Sequence, residues 1–197
     1  MLAALREHLV RELDQLPHIV SLYASKDAGF VDQSIEWLHG LEECLGRFRN
    51  PSSAHIAALR AKILATGDGY RHPSLMQIKS PRKAIRAAAG TAIEEAEITV
   101  RTEIRSIDDQ FNSLREKMVQ LVAVASVNKP IPLPPSEPRE SWLRKVWHGL
   151  AGNGQTEGMY AYLNAALNLS DRLYLLDRIM ENFVSNAGVE NQPVTNQ

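Results

Sequence analysis

Residues 81–126 read PRKAIRAAAGTAIEEAEITVRTEIRSIDDQFNSLREKMVQLVAVAS, and after the first position this stretch contains no proline. Its apolar side chains recur at steps of three and four residues, the spacing that places them on one face of an α-helix. They form a heptad seam of Ile93, Ala96, Val100, Ile104, Ile107, Phe111, Leu114, Met118, Leu121 and Ala125. The stretch therefore predicts one long, coiled-coil-like helix over 81–126, about 65 Å in length, with Gly90 as its weakest position.

Upstream of the long helix, the same apolar spacing predicts three N-terminal helices within residues 1–67. The first has an apolar stripe from Leu2 to Tyr23. We expect it to kink or restart at Pro17, because proline lacks a backbone donor and crowds the preceding turn.

The ends of the next two helices are predicted from residues with strong positional preferences. Asp32 or Ser34 is the expected N-cap of the second helix, because either side chain can accept a bond from a free backbone amide. In the third helix, Asn50 is the expected cap and Pro51 the first helical residue. Gly67 is expected to take the left-handed conformation after the last turn.

The connections and the C-terminal part complete the predicted architecture. Residues 68–80 are a predicted basic loop, and the prolines of residues 127–140 predict a stiff, extended linker. A C-terminal helical pair is predicted over 141–187, its last helix carrying an unbroken apolar stripe from Met159 to Phe183. Residues 188–197 are polar and predict a disordered tail. The expected fold is an all-α, elongated helical bundle with one long central helix and a C-terminal helical pair.

The composition argues against several classes of function. A net charge of -1 does not favour binding of nucleic acid or an anionic membrane by the charge of the whole chain. The single cysteine, Cys44, supports neither an internal disulfide nor a thiolate metal cage, which is typical of a reducing compartment. No apolar run has the length of a membrane span or the pattern of a signal peptide. We expect a cytoplasmic protein with no membrane partner.

Residues 47–55, RFRNPSSAH, contain a candidate catalytic group made of Arg49, Asn50 and His55. Their spacing resembles the Arg-x(4–6)-His motif of the HEPN ribonuclease family, an all-helical family whose active enzymes pair two such motifs across a dimer. The resemblance, which covers seven residues, implies a metal-independent RNA endonuclease. His55 would handle a proton at the RNA 2'-hydroxyl and Arg49 would steady the phosphate. The same residues also fit the start of a helix, with Asn50 as its N-cap.

A second candidate is a basic stretch around the start of the long helix. It carries five basic residues and no acidic ones between Gly69 and Ile93: Arg71, Lys79, Arg82, Lys83 and Arg86. Cations at a helix N-terminus oppose the helix dipole, so their placement favours an anionic partner, either a nucleic acid or an acidic protein face. A solvated basic surface without a ligand is the alternative explanation.

No metal, cofactor or other catalytic site is predicted. Glu36 and His39 form one Glu-x-x-His pair, but a di-iron bundle needs that pair twice with two further carboxylates. The histidines are scattered without ligand spacing, and there is no phosphate loop or nucleophile elbow.

The sequence therefore favours a non-enzymatic helical assembly subunit of a larger complex, binding itself or a larger protein partner, with nucleic acid as a further partner of the basic stretch. A helix of about 65 Å exceeds a compact body of this length, so part of its seam is expected to meet another chain. The expected partner-helix interface is Ile104, Ile107, Phe111, Leu114, Met118, Leu169, Leu173, Leu176 and Met180. A regulator that inhibits an enzyme would use the same surfaces, and the dimeric RNA endonuclease is the alternative.

Overall fold

The structure is a computed structural model that describes residues 1–70, 77–128, 139–151 and 154–189. These ranges contain helices joined by turns and no strand, so the predicted all-α class is confirmed. The helices are α1 (Leu2–Leu13), α2 (Leu16–Ala24), α3 (Phe30–Arg47), α4 (Ser52–Gly67), α5 (Pro81–Asn128), α6 (Arg139–Leu150), α7 (Glu157–Ala166) and α8 (Leu169–Val189).

The chain divides into two compact units. One comprises Leu2–Ile107, and the other consists mainly of the residues from Asp108 onward. The long helix α5 contributes its first part to the N-terminal unit and its last turns to the C-terminal unit. In the N-terminal unit, α3 packs against α1, α2 and α4.

The core of the N-terminal unit forms because helical spacing brings large apolar side chains onto the faces that meet. On α3 these are Trp37, Leu38, Leu41 and Leu45, all fully or nearly fully buried. The facing stripe on α4 is Ile56, Leu59 and Ile63, three side chains spaced at three and four residues and equally buried.

The predicted restart near Pro17 is confirmed, since α1 ends at Leu13 and α2 begins at Leu16 with the proline in its first turn. The predicted N-cap of α3 was wrong. The helix begins at Phe30, two residues before Asp32, and the Ser34 hydroxyl donates a 2.7 Å bond to the Phe30 carbonyl inside the helix. Phe30 is buried, so its packing favours the earlier start.

At the start of α4, the Asn50 Oδ1 accepts a 2.8 Å bond from the Ser52 amide, and Pro51 immediately precedes the helix. Asn50 therefore satisfies a free amide as predicted, although the helix starts one residue later than expected. The prediction for Gly67 was wrong, because it is the last helical residue and the left-handed position is Gly69, with φ of 97°. A Cβ at Gly67 would lie 3.1 Å from Ile85 Cδ1, so a larger residue would require the Ile85 side chain to shift by a few tenths of an ångström.

The long helix predicted over 81–126 is confirmed as α5, which has 48 residues and continues through Gly90. Every residue of the predicted seam is buried except Ile104, which is half-buried. The linker predicted over 127–140 overlaps helices at both ends, and its positions 129–138 lie outside the described residues. Of the predicted tail, only positions 188 and 189 are described, as the end of α8.

The prediction of one uninterrupted last helix was also wrong, since α7 and α8 are separate helices. The break falls at Leu167, whose backbone is extended with φ of -119° and ψ of 136°, and whose side chain is nonetheless buried. Asn168 then caps α8: its Oδ1 accepts a 3.0 Å bond from the Asp171 amide, and its Nδ2 donates a 2.6 Å bond to the Asp171 carboxylate. This reciprocal pair resembles a capping box and starts a new helix.

We expect Asn168→Ala to lower the free energy of unfolding by about 1 kcal/mol, because the substitution removes the cap of α8. Chemical denaturation followed by circular dichroism measures the change. The matched control is Asn112→Ala, at an exposed position on α5, which should change stability by less than about 0.5 kcal/mol. Equal effects of the two substitutions would contradict a capping role for Asn168.

Candidate partner-binding surface

Most of the predicted interface residues are covered by this chain's own helices. Ile107, Phe111, Leu114 and Met118 of α5 and Leu173, Leu176 and Met180 of α8 are buried. The Phe111 ring lies 5.9 Å from that of Tyr174 on α8, centroid to centroid. Ile104 is half-buried and Leu169 is 37% exposed. The seam thus forms a core, and its role as an interface stays a prediction.

The last turns of α5 carry an apolar surface on the opposite side of the helix. Val119 and Val124 are 36% and 39% exposed, Val127 is 85% exposed, and Ala123 is exposed beside them. We call these four residues the valine face. On the other side of the same turns, the side chains of the seam are buried, so the helix is apolar around most of its circumference. Helices of that kind are usually covered on both sides.

The valine face was missed by reasoning from the heptad seam alone. Its signal in the sequence is a lack of charge: residues 118–128, MVQLVAVASVN, contain no acidic or basic residue. An ordinary surface helix alternates apolar and charged faces. Eleven uncharged residues at the end of an otherwise highly charged helix could have indicated a second covered face.

The structure separates the predicted basic residues into two groups. Lys79, Arg82 and Lys83 are exposed at or just before the start of α5. Arg71 lies outside the described residues. Arg86 is half-buried and is bonded within the N-terminal unit.

The Arg86 guanidinium completes the end of α2. Its Nη2 donates bonds of 3.1 Å and 2.6 Å to the carbonyls of Leu22 and Tyr23, and its Nη1 donates a 2.9 Å bond to the carbonyl of Asp27. The last carbonyls of a helix have no partner inside it and carry the negative end of its dipole, so a cation stabilises them. The guanidinium carbon also lies 4.9 Å from the ring centroid of Phe30, within range of a cation–π interaction.

The candidate catalytic residues differ in their surroundings. Arg49 is exposed and has a left-handed backbone with φ of 54°, while His55 is exposed on α4. Asn50 is half-buried, and its Nδ2 donates a 2.8 Å bond to Glu103 of α5, whose other oxygen accepts a 2.5 Å bond from the Ser52 hydroxyl. Asn50 thus joins the start of α4 to the long helix, which is a structural role.

A cleft of about 500 Å³ lies between α1, α2 and α3 and contains Glu12. Burial raises the pKa of this carboxyl, and a 2.9 Å bond from Gln15 only partly opposes the increase. Burial also raises the pKa of the Cys44 thiol, and the nearby Glu12 carboxylate adds to that shift. A protonated thiol is a poor nucleophile and metal ligand.

Within the described ranges, no group of three or more histidine, cysteine, aspartate or glutamate side chains is placed to hold a metal ion. The Glu36 and His39 pair from the sequence is not drawn into such a group. His39 instead faces Glu43 one turn along α3, with 3.7 Å between Nε2 and Oε1.

No protein-family model, curated protein or solved structure matches this chain. In the described part of the chain, no helix combines the length and apolar content needed to cross a bilayer.

We expect Arg86→Met to lower the free energy of unfolding by about 1–2 kcal/mol, because it removes three charge-assisted bonds to carbonyls at and after the end of α2, while Leu22 and Tyr23 keep only their backbone and hydroxyl donors. Arg82→Met, an equal loss of charge at an exposed position one turn away, should cost less than about 0.5 kcal/mol. Urea denaturation of both variants measures the difference. If the two variants were equally stable, the structural role of Arg86 would be refuted.

We expect Glu12→Gln to stabilise the protein at neutral pH. Because the folded-state pKa of Glu12 is raised, ionisation of this carboxyl costs stability as the pH rises through that pKa, and the glutamine removes the cost. The gain in Tm should disappear below about pH 4, where the carboxyl is protonated in both states. Glu7→Gln, at an exposed position on α1, is the control for the loss of one negative charge and should raise Tm at neutral pH by less than Glu12→Gln does.

Proposed function

We propose that this protein is a non-enzymatic assembly subunit that associates with a second copy of itself through the valine face of α5. The observation that carries the proposal is the exposure of this apolar face on turns whose opposite side is already buried. These apolar residues surround the exposed, uncharged Gln120 on the same side of α5, and exposed apolar side chains grouped on one side of a helix are typical of a binding site.

The lack of charge supports a second copy as the occupant. In a two-fold symmetric contact the same surface meets itself, so a charge near the symmetry axis would face its own copy and a charge elsewhere would need an opposite charge on the same surface. Residues 118–128 carry none, and valine side chains from two antiparallel helices can interdigitate without electrostatic penalty.

The size of the face supports weak association. Four small side chains per copy cover much less than the area of about 800 Å² per partner that is usual for a stable complex. We therefore expect a dimer that dissociates on dilution. In a larger assembly, further contacts would add to this one.

The exposed basic residues Lys79, Arg82 and Lys83 complete the proposal. They lie in the N-terminal unit, apart in the chain from the valine face, and none of them makes an ion pair within the described residues. They would give the assembly selectivity for an acidic partner surface, because surface charge mainly affects encounter rate and the choice of partner.

The test is the solution mass of the full chain by light scattering over a wide range of concentrations. We expect the wild-type mass to rise from 22.0 kDa toward that of a dimer. The double variant Val124→Lys, Val127→Lys should stay monomeric, because a symmetric contact would bring its lysines together. Lysine near a helix C-terminus agrees with the helix dipole, so the fold should be retained.

The matched control is Leu64→Lys, which places the same charge at another exposed apolar position, 44% exposed near the end of α4. This variant should associate like the wild type. A wild-type chain that stays monomeric at every concentration, or a double variant that associates as strongly as the wild type, would contradict self-association through the valine face.

A further inference from the structure

A second apolar surface lies in the N-terminal unit, in a groove of about 370 Å³ between α2 and α5. Val20 and Tyr23 of α2 line one side, and Gly90 and Thr91 of α5 form the floor. We call this the α2–α5 groove. Gly90 contributes no side chain to the groove and Thr91 contributes a small one.

The walls of the groove are held in place by neighbouring contacts. The Tyr23 ring lies 5.0 Å from the Phe30 ring and 5.1 Å from the Arg86 guanidinium carbon. A Cβ added to Gly90 would lie 3.4 Å from Tyr23 Cε2, so the ring already sits against the floor. A site formed in advance of binding loses less entropy when a partner is bound.

The groove exposes large apolar side chains to water. Val20 is 55% exposed and Tyr23 is 49% exposed. Ile98, which is 61% exposed, lies on the same face of α5 as Thr91 and Glu94, two turns and one turn further along the helix. Ile98 therefore adds an exposed apolar side chain beyond the groove, next to Glu94 along the helix.

Among the described residues, the charged residues that line the groove are acidic, and the Arg86 guanidinium beside Tyr23 does not line the groove. Its charged lining consists of Glu94 and Glu97, with no lysine or arginine among the described residues that line it. Glu97 shares a salt bridge of 2.7 Å with Arg101, whereas Glu94 makes no ion pair within the described residues. An occupant that combines an apolar face with basic side chains would complement both features.

We propose that the α2–α5 groove binds an amphipathic helix of a partner protein, with its apolar side chains in the groove and lysine or arginine facing Glu94 and Glu97. A helix suits a site between two helices because its i, i+3, i+4 and i+7 side chains form one ridge. This binding goes beyond self-association, since the groove lies in the N-terminal unit and the valine face in the C-terminal unit.

The test uses the full chain and two synthetic helical peptides with the same leucine face, one flanked by lysines and the other by glutamates. Fluorescence anisotropy should show that the lysine peptide binds and that added salt weakens it, with the glutamate peptide at least about tenfold weaker. Absence of binding, or equal affinity of the two peptides, would overturn the proposal.

Two variants locate the binding site. Gly90→Ala should retain or slightly raise stability, because alanine favours the helix and its methyl group meets Tyr23 at an ordinary contact distance, yet it should weaken binding by filling the floor. Glu94→Lys should weaken the lysine peptide about fivefold.

The matched control for charge is Glu7→Lys, at an exposed position on α1 that does not line the groove, and it should bind the peptide like the wild type. If Gly90→Ala and Glu94→Lys both bound like the wild type, the peptide would be bound elsewhere and the groove would be excluded. Light scattering without peptide reports self-association separately, so either proposal can fail without the other.

Discussion

The structure depends on covering one apolar stripe that runs the length of a 48-residue helix. The next longest helix, α8, has 21 residues, so no other described helix can cover the stripe alone. Two separate sets of shorter helices therefore cover the stripe, each along one part of α5. Contacts from α2 and α4 reach the first part of α5, and contacts from α7 and α8 reach its last part. The division of the chain into two units follows from this sharing.

Polar contacts fix where the short helices meet the long one. Apolar packing along a regular stripe permits several registers, because each turn of the helix offers a similar surface. Glu103 accepts bonds from Asn50 and Ser52, and Arg86 donates to the last carbonyls of α2. A shift of either helix by one turn, about 5.4 Å, would break these contacts. In the sequence, Asn50 belongs to the candidate catalytic group and Arg86 to the basic stretch. In the structure, both residues make contacts between helices, so both have a structural role.

The sequence was sufficient to predict a helix whose apolar residues recur at regular spacing. The seam of α5 was predicted residue by residue, because periodic burial follows from helical geometry alone. It was insufficient at Leu167, where an extended residue interrupts the helix but keeps its side chain buried, so the apolar spacing continues through the break. The sequence Asn-x-x-Asp from Asn168 carried the missing signal.

Long-range contacts could not be predicted in the same way. Asn50 and Glu103 are 53 residues apart, and Arg86 lies 63 residues from Tyr23. No local sequence pattern distinguishes an arginine that caps a distant helix from one that binds an anionic ligand. The α2–α5 groove could not be predicted for the same reason, because it exists only once α2 has been placed against α5.

The two apolar surfaces differ in the electrostatic character that would select their partners. The valine face is uncharged, so contact between two copies of it would involve no electrostatic repulsion. The α2–α5 groove carries Glu94 and Glu97, so a second copy of the same groove would face it with like charge. If both proposals hold, the groove would therefore favour a basic partner and the valine face a second copy of the chain.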